Sequence, residues 1–120
     1  MRYKREEAFR YSFKEPILAL FYIKEIDGKK VKSSEGPASI MNISPEGAKI
    51  HSSFNMPMKT SSSTHLSITF ELNGNYLTVD GTIVWKKENA KGFDYGIDLD
   101  IDDETKNTLV EHLKIQAKQK

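Results

Sequence analysis

The polar side chains best placed for chemistry lie in residues 37–51, PASIMNISPEGAKIH, around Asn42-Ile43-Ser44-Pro45-Glu46-Gly47. Asn42 and Ser44 carry groups that can bond neighbouring backbone or a ligand. Pro45 holds φ near about −65° and Gly47 admits φ > 0, so the two are natural turn residues. Ala38 and Ile40 precede them and Ala48 and Ile50 follow, each pair alternating with the period of a strand. The segment therefore reads strand, polar turn, strand, with Asn42 and Ser44 at one end of a sheet. A plain hairpin accounts for the same residues, so a functional reading depends on what else the chain brings to that end.

Other chemistries find little support. His51, His65 and His112 fall on two strand regions and a helix without ligand spacing, so no metal site is expected. Asp94, Asp98 and Asp100 share one strand face, but neither a nucleophile nor a phosphate loop accompanies them. They read as the solvated side of a strand, and no enzyme is expected. With no cysteine there is no disulfide, Cys–zinc site or thiol nucleophile, which fits a cytoplasmic protein.

The 120 residues suit one domain with a modest core, and 38% hydrophobic with 29% charged residues is ordinary for a globular chain. The N-terminus does not read as a secretion signal and no apolar run reaches membrane-spanning length. A net charge of +1 argues against tracking nucleic acid, although Tyr3, Phe9, Tyr11 and Phe13 interleave with basic residues in the manner of a single-strand platform.

Residues 1–14 form a basic, aromatic lead-in and residues 15–120 the domain proper. Residues 16–26 suit one strand, Asp27-Gly28 a hairpin turn, and residues 51–64 a surface loop. Ile68, Phe70 and Leu72 alternate up to Asn73-Gly74, a strong hairpin signal. Leu77, Val79, Gly81, Ile83 and Trp85 share one face of the return strand, with Gly81 marking a bend or bulge. Phe93, Tyr95, Ile97, Leu99 and Ile101 give the cleanest alternation. Asp102 or Asp103 then caps a helix whose apolar stripe is Leu109, Val110 and Leu113, extended by Ile115 and Ala117. The predicted fold is all-β: a six-stranded antiparallel (split) β-barrel with a C-terminal α-helix. Ile68, Phe70, Val79, Ile83, Ile97 and Leu99 should fill its core, packed in part by Leu109 and Leu113.

This set of features resembles the PilZ family of small β-barrels that bind cyclic di-GMP. The resemblance covers nearly the whole chain. It rests on the basic N-terminal stretch, Asn-x-Ser-x-x-Gly at residues 42–47, Gly-Thr-Ile-Val-Trp at 81–85 and Tyr-Gly-Ile-Asp at 95–98. It implies a non-enzymatic sensor or adaptor with no cofactor, whose interaction surface changes when cyclic di-GMP binds. The implied ligand residues are Arg5, Arg10, Asn42, Ser44 and Gly47. The family carries Arg-x-x-x-Arg in its N-terminal stretch. Here Arg5 and Arg10 are one residue further apart, and Glu6 stands where Arg10 would require the first arginine. A barrel without nucleotide, working as a protein–protein interaction module, is the competing reading. Either way a protein partner is expected, and neither nucleic acid nor membrane insertion.

Overall fold

The structure, a computed structural model, describes residues 10–31, 33, 35–56 and 63–118. Tyr3, Arg5, Glu6 and Phe9 lie outside the described residues, as do positions 57–62 of the expected loop. Among the described residues seven strands and one helix follow in order: β1 (Tyr11–Ile26), β2 (Lys29–Lys30), β3 (Gly36–Ile43), β4 (Gly47–Ser52), β5 (Thr64–Leu72), β6 (Asn75–Asn89), β7 (Gly92–Leu99) and α1 (Asp103–Lys118).

Neighbouring strands run β1-β3-β4-β7-β6-β5, and β5 pairs back onto β1, closing a six-stranded antiparallel barrel. The two-residue β2 merely returns on the end of β1. β5 pairs with β1 only over Ala19–Ile26 and with β6 only over Asn75–Thr82, so the barrel is split where β1 and β6 run on beyond it. Two of the turns are the two-residue kind that matches strand twist. Asp27 and Gly28 take φ of 56° and 81°, and Asn73 and Gly74 take 54° and 80°.

The core follows from period-two alternation. Ile68, Phe70, Val79, Ile83, Ile97 and Leu99 are all buried, as the alternation predicts, and Leu109 and Leu113 of α1 join the same cluster. Asp102 caps the helix: the Thr105 amide donates to its Oδ1 at 2.8 Å, and bonding to Thr105 holds this carboxyl below the usual range. Ile115 and Ala117 are exposed, so the helix buries a narrower stripe than expected.

Departures from simple alternation have local causes. Pro16 donates no hydrogen bond, and the β1–β3 ladder breaks between Ser12 and Ile17. In β6 the register holds at Gly81 and shifts between Ile83 and Trp85, which makes Val84 the additional residue. Gly81 is instead a close-contact site, where a Cβ would lie 2.6 Å from Ile97 Cγ2. The slip turns Trp85 away from the face that the alternation gave it with Ile83, and the residue is 42% exposed. A second slip between Ile40 and Asn42 makes Met41 the additional residue of β3.

The segment expected as a loop is also more structured than its composition suggests. His51 and Ser52 belong to β4, Thr64 opens β5, and Met56 is buried. The buried Tyr95 hydroxyl holds this connection: it donates to the Phe54 carbonyl at 2.6 Å and accepts from the Met56 amide at 2.7 Å. Burial raises the phenol above its ordinary value of 10.0, opposed by the Met56 bond. A raised folded-state value means full stability below pH 10 and a loss as pH climbs from there through the folded value. Tyr95→Phe should cost about 1–3 kcal/mol in urea unfolding, because the Met56 amide then has no partner in a buried place. The variant should also lose that alkaline sensitivity, which unfolding at two pH values checks.

Candidate functional site

The two strand slips serve one face of the barrel. Bulges re-aim side chains, and here they bring Asn42 and Trp85 into a common row. Asn42 lies opposite Lys49, Lys49 opposite Gly96, and Gly96 opposite Trp85. A second row runs beside it along the strands, with Gly47 opposite Asp98 and Asp98 opposite Thr82. Apart from Thr82, these residues line a hollow of about 530 Å³ that also takes in Arg10, Ser44, Glu46 and Val84.

Each residue has a distinct part. Arg10 Nη1 donates to Asn42 Oδ1, which sets the guanidinium at the mouth of the hollow. Ser44 is 1% exposed, and its hydroxyl is consumed within the turn. It accepts from the Glu46 and Gly47 amides at 3.2 Å each and donates to the Gly47 carbonyl at 3.4 Å. With its donor and lone pairs so engaged, Ser44 fixes the turn. Gly47 is required for space: a Cβ there would lie 3.0 Å from the Ile97 carbonyl and 3.7 Å from Arg10 Nη2. Its backbone does not use the positive φ that the turn composition suggests. The Leu99 amide donates to the Glu46 carbonyl at 3.0 Å, and Lys106 of α1 lies 3.4 Å from the Glu46 carboxylate, so the turn is tied to both β7 and the helix.

Of the five residues expected at the site, Arg10, Asn42, Ser44 and Gly47 meet at this hollow, and Arg5 lies outside the described residues. The sequence reading missed Trp85, Lys49, Gly96 and Asp98. Its alternation put Trp85 on one face with Ile83 and Asp98 in a solvated row, and only the register slip reveals them as neighbours. Gly96 carried a signal, since it sits without a side chain inside an otherwise well-filled strand. The Trp85 indole occupies that space, and a Cβ on Gly96 would fall 2.0–2.4 Å from its ring atoms. Gly96→Ala should therefore expel the indole while the half-exposed ring gives way without unfolding the barrel. Trp85 is the sole tryptophan, so a red-shifted emission with unchanged circular dichroism checks this.

The histidines have structural partners. His51 Nδ1 lies 2.7 Å from Asp94, His65 bonds Thr82, and His112 bonds Asn73. Among the described residues no cluster of side chains is arranged to hold a metal. No described helix is long and apolar enough to cross a membrane.

Comparison with known proteins agrees with this architecture. The family model described as "PilZ domain" matches residues 4–114. No curated protein matches the sequence. Among solved structures, a PilZ domain of CeSA from a cellulose-synthesizing bacterium superposes with a TM-score of 0.59 at 20% identity, over 90% of this chain and 98% of that one. At that identity the likeness speaks for the fold, and the family match, which spans most of the sequence, decides membership. The chain belongs to the PilZ domain family.

Proposed function

We propose that this domain is a cytoplasmic sensor or adaptor that binds cyclic di-GMP in the hollow between Arg10 and Trp85. The observation that carries this is the convergence of Arg10, Asn42, Lys49 and Trp85 on one open cavity. Cyclic di-GMP presents two phosphates and two purine faces. A guanidinium fork suits phosphate oxygens or the guanine O6/N7 pair, an ammonium suits phosphate, and an exposed indole suits a base face. Gly96 leaves room for the indole to lie across β7, and Gly47 lets the turn pack against it.

Ser44 supports the site by shaping the turn rather than by touching ligand. Residues 1–14 act as an arm that brings Arg5 over the bound nucleotide and alters the surface shown to a partner protein. The last four of these positions belong to β1.

One observation favours the second reading, a partner-binding barrel without nucleotide. Leu18, Leu20 and Tyr22 project outward from β1, Leu18 with 79% of its surface exposed. Such an apolar stripe suits a protein contact under either reading.

Calorimetric titration with cyclic di-GMP, followed in parallel by Trp85 emission, decides between them. Saturable heat with a quenched tryptophan is expected. No heat and no change in emission at millimolar ligand would leave the interaction-module reading standing.

A further inference from the structure

We infer that Asp98 is the specificity determinant of the hollow, accepting hydrogen bonds from the N1–H and N2–H donors of a guanine and rejecting adenine. The inference deepens the proposed nucleotide reading and depends on it.

Two carboxylates line the hollow, and they differ in what they already do. Glu46 is engaged with Lys106 on the helix. Asp98 is exposed, faces the cavity, and has no hydrogen bond or ion pair among the described residues. Two other strand carboxylates are already engaged, Asp94 with His51 and Asp80 with Lys24. Lys49 is also without a partner among the described residues, although it lines the same cavity. A cation and an anion thus share one hollow without bonding each other. That arrangement suits a ligand carrying both acceptors and donors, not a simple anion.

Placement along β7 assigns the two ends of that ligand. Trp85 lies over Gly96, with Lys49 on the far side of the same glycine. Asp98 stands two residues further along β7, on the same outer face and roughly 6.5–7 Å away. A purine stacked on the indole therefore has one edge toward Asp98. Guanine has two N–H donors on its Watson–Crick edge, which match the two oxygens of a carboxylate in a charge-assisted pair. Adenine has a ring-nitrogen lone pair in place of N1–H, and this faces Asp98 unfavourably. A phosphate at the same position would be repelled too, so the two possible occupants of this corner predict opposite effects of removing the charge.

The test is calorimetric titration of the unaltered chain, Asp98→Ala and Asp98→Asn with cyclic di-GMP and cyclic di-AMP, with circular dichroism to confirm folding. Both substitutions fall on an exposed side chain, and the asparagine keeps its shape. The unaltered chain should favour cyclic di-GMP by at least tenfold. Asp98→Ala should weaken cyclic di-GMP tenfold or more, leave cyclic di-AMP the same or tighter, and so erase the preference. Asp98→Asn, which keeps one acceptor, should fall between. Tighter cyclic di-GMP binding in either variant would place phosphate at Asp98 and overturn the inference. An unchanged preference would overturn it as well, with the nucleotide reading intact. If the unaltered chain binds neither nucleotide, both readings fail together.

Discussion

Leu113→Ala is expected to destabilise the domain by about 2–5 kcal/mol, the usual range for truncating a fully buried leucine. Leu109 and Leu113 are the two buried residues of α1, and Leu113 has no exposed surface. No other side chain of the helix is fully buried, so its place on the barrel depends chiefly on these two, helped by the Lys106–Glu46 pair and by a hydrogen-bonded clasp at the β5–β6 turn. In that clasp Asn73 Nδ2 donates to the His112 carbonyl at 3.0 Å, and Gln116 Nε2 donates to Asn73 Oδ1 at 2.9 Å. A cavity at Leu113 opens between the anchors, and the clasp prevents the helix from settling to fill it. Ile115→Ala, one turn-step away but 42% exposed, should change stability by no more than about 0.5 kcal/mol. Urea unfolding followed by circular dichroism separates the two, with similar denaturant slopes in both variants. Equal losses would show that the helix contributes generic packing and that its register on the barrel is unimportant.

How much of this was legible in the sequence depends on whether the deciding contact was local. The Asp27-Gly28 and Asn73-Gly74 turns and the Asp102 cap are local, and so was the alternation through Phe70, Val79 and Ile97. Each of these read correctly because strand period and turn chemistry act over a few residues. The site was legible only in its turn. Asn42 and Gly47 were found from spacing, and Arg10 from the N-terminal pattern. Trp85 was placed on the same face as Ile83 because alternation was continued through it, and nothing in residues 81–85 announces the additional residue at Val84. A bulge is an agreement between two strands, so one strand alone does not encode it. Met56 was missed for a related reason: its burial is secured by Tyr95, 39 positions away. Gly47 was found for the wrong physical reason, since its need is set by the carbonyl of Ile97 on another strand.

Ser44 bears on how the Asn-x-Ser-x-x-Gly pattern should be understood in this chain. Its hydroxyl holds the Glu46 and Gly47 amides, and that turn in turn meets β7 and Lys106. The serine therefore reaches the hollow by positioning backbone, while Asn42 reaches it by holding Arg10. A single motif contains one residue that builds the wall and another that places a cation at its mouth.

Arg10→Ala should weaken cyclic di-GMP binding roughly ten- to a hundredfold, the loss of a charge-assisted contact worth about 1.5–3 kcal/mol. The guanidinium is exposed and rests on Asn42, so its removal should leave unfolding unchanged. The complementary change lies four residues earlier. Glu6 stands at the spacing from Arg10 at which the family pattern resembled here places its first arginine. Glu6→Arg replaces an anion with a second planar fork and raises the net charge by two, which favours encounter with an anionic ligand. Binding should tighten by tenfold or more. The two changes should also couple, because both forks address one ligand. Arg10→Ala should cost more affinity in the Glu6→Arg background than in the unaltered chain, and a double-mutant cycle measured by calorimetry reads this directly. Strictly additive effects would mean that the arm and Arg10 act on separate surfaces. If Glu6→Arg leaves binding undetectable at millimolar nucleotide, then the hollow is not a nucleotide site, and Asn42, Ser44 and Gly47 serve the barrel alone.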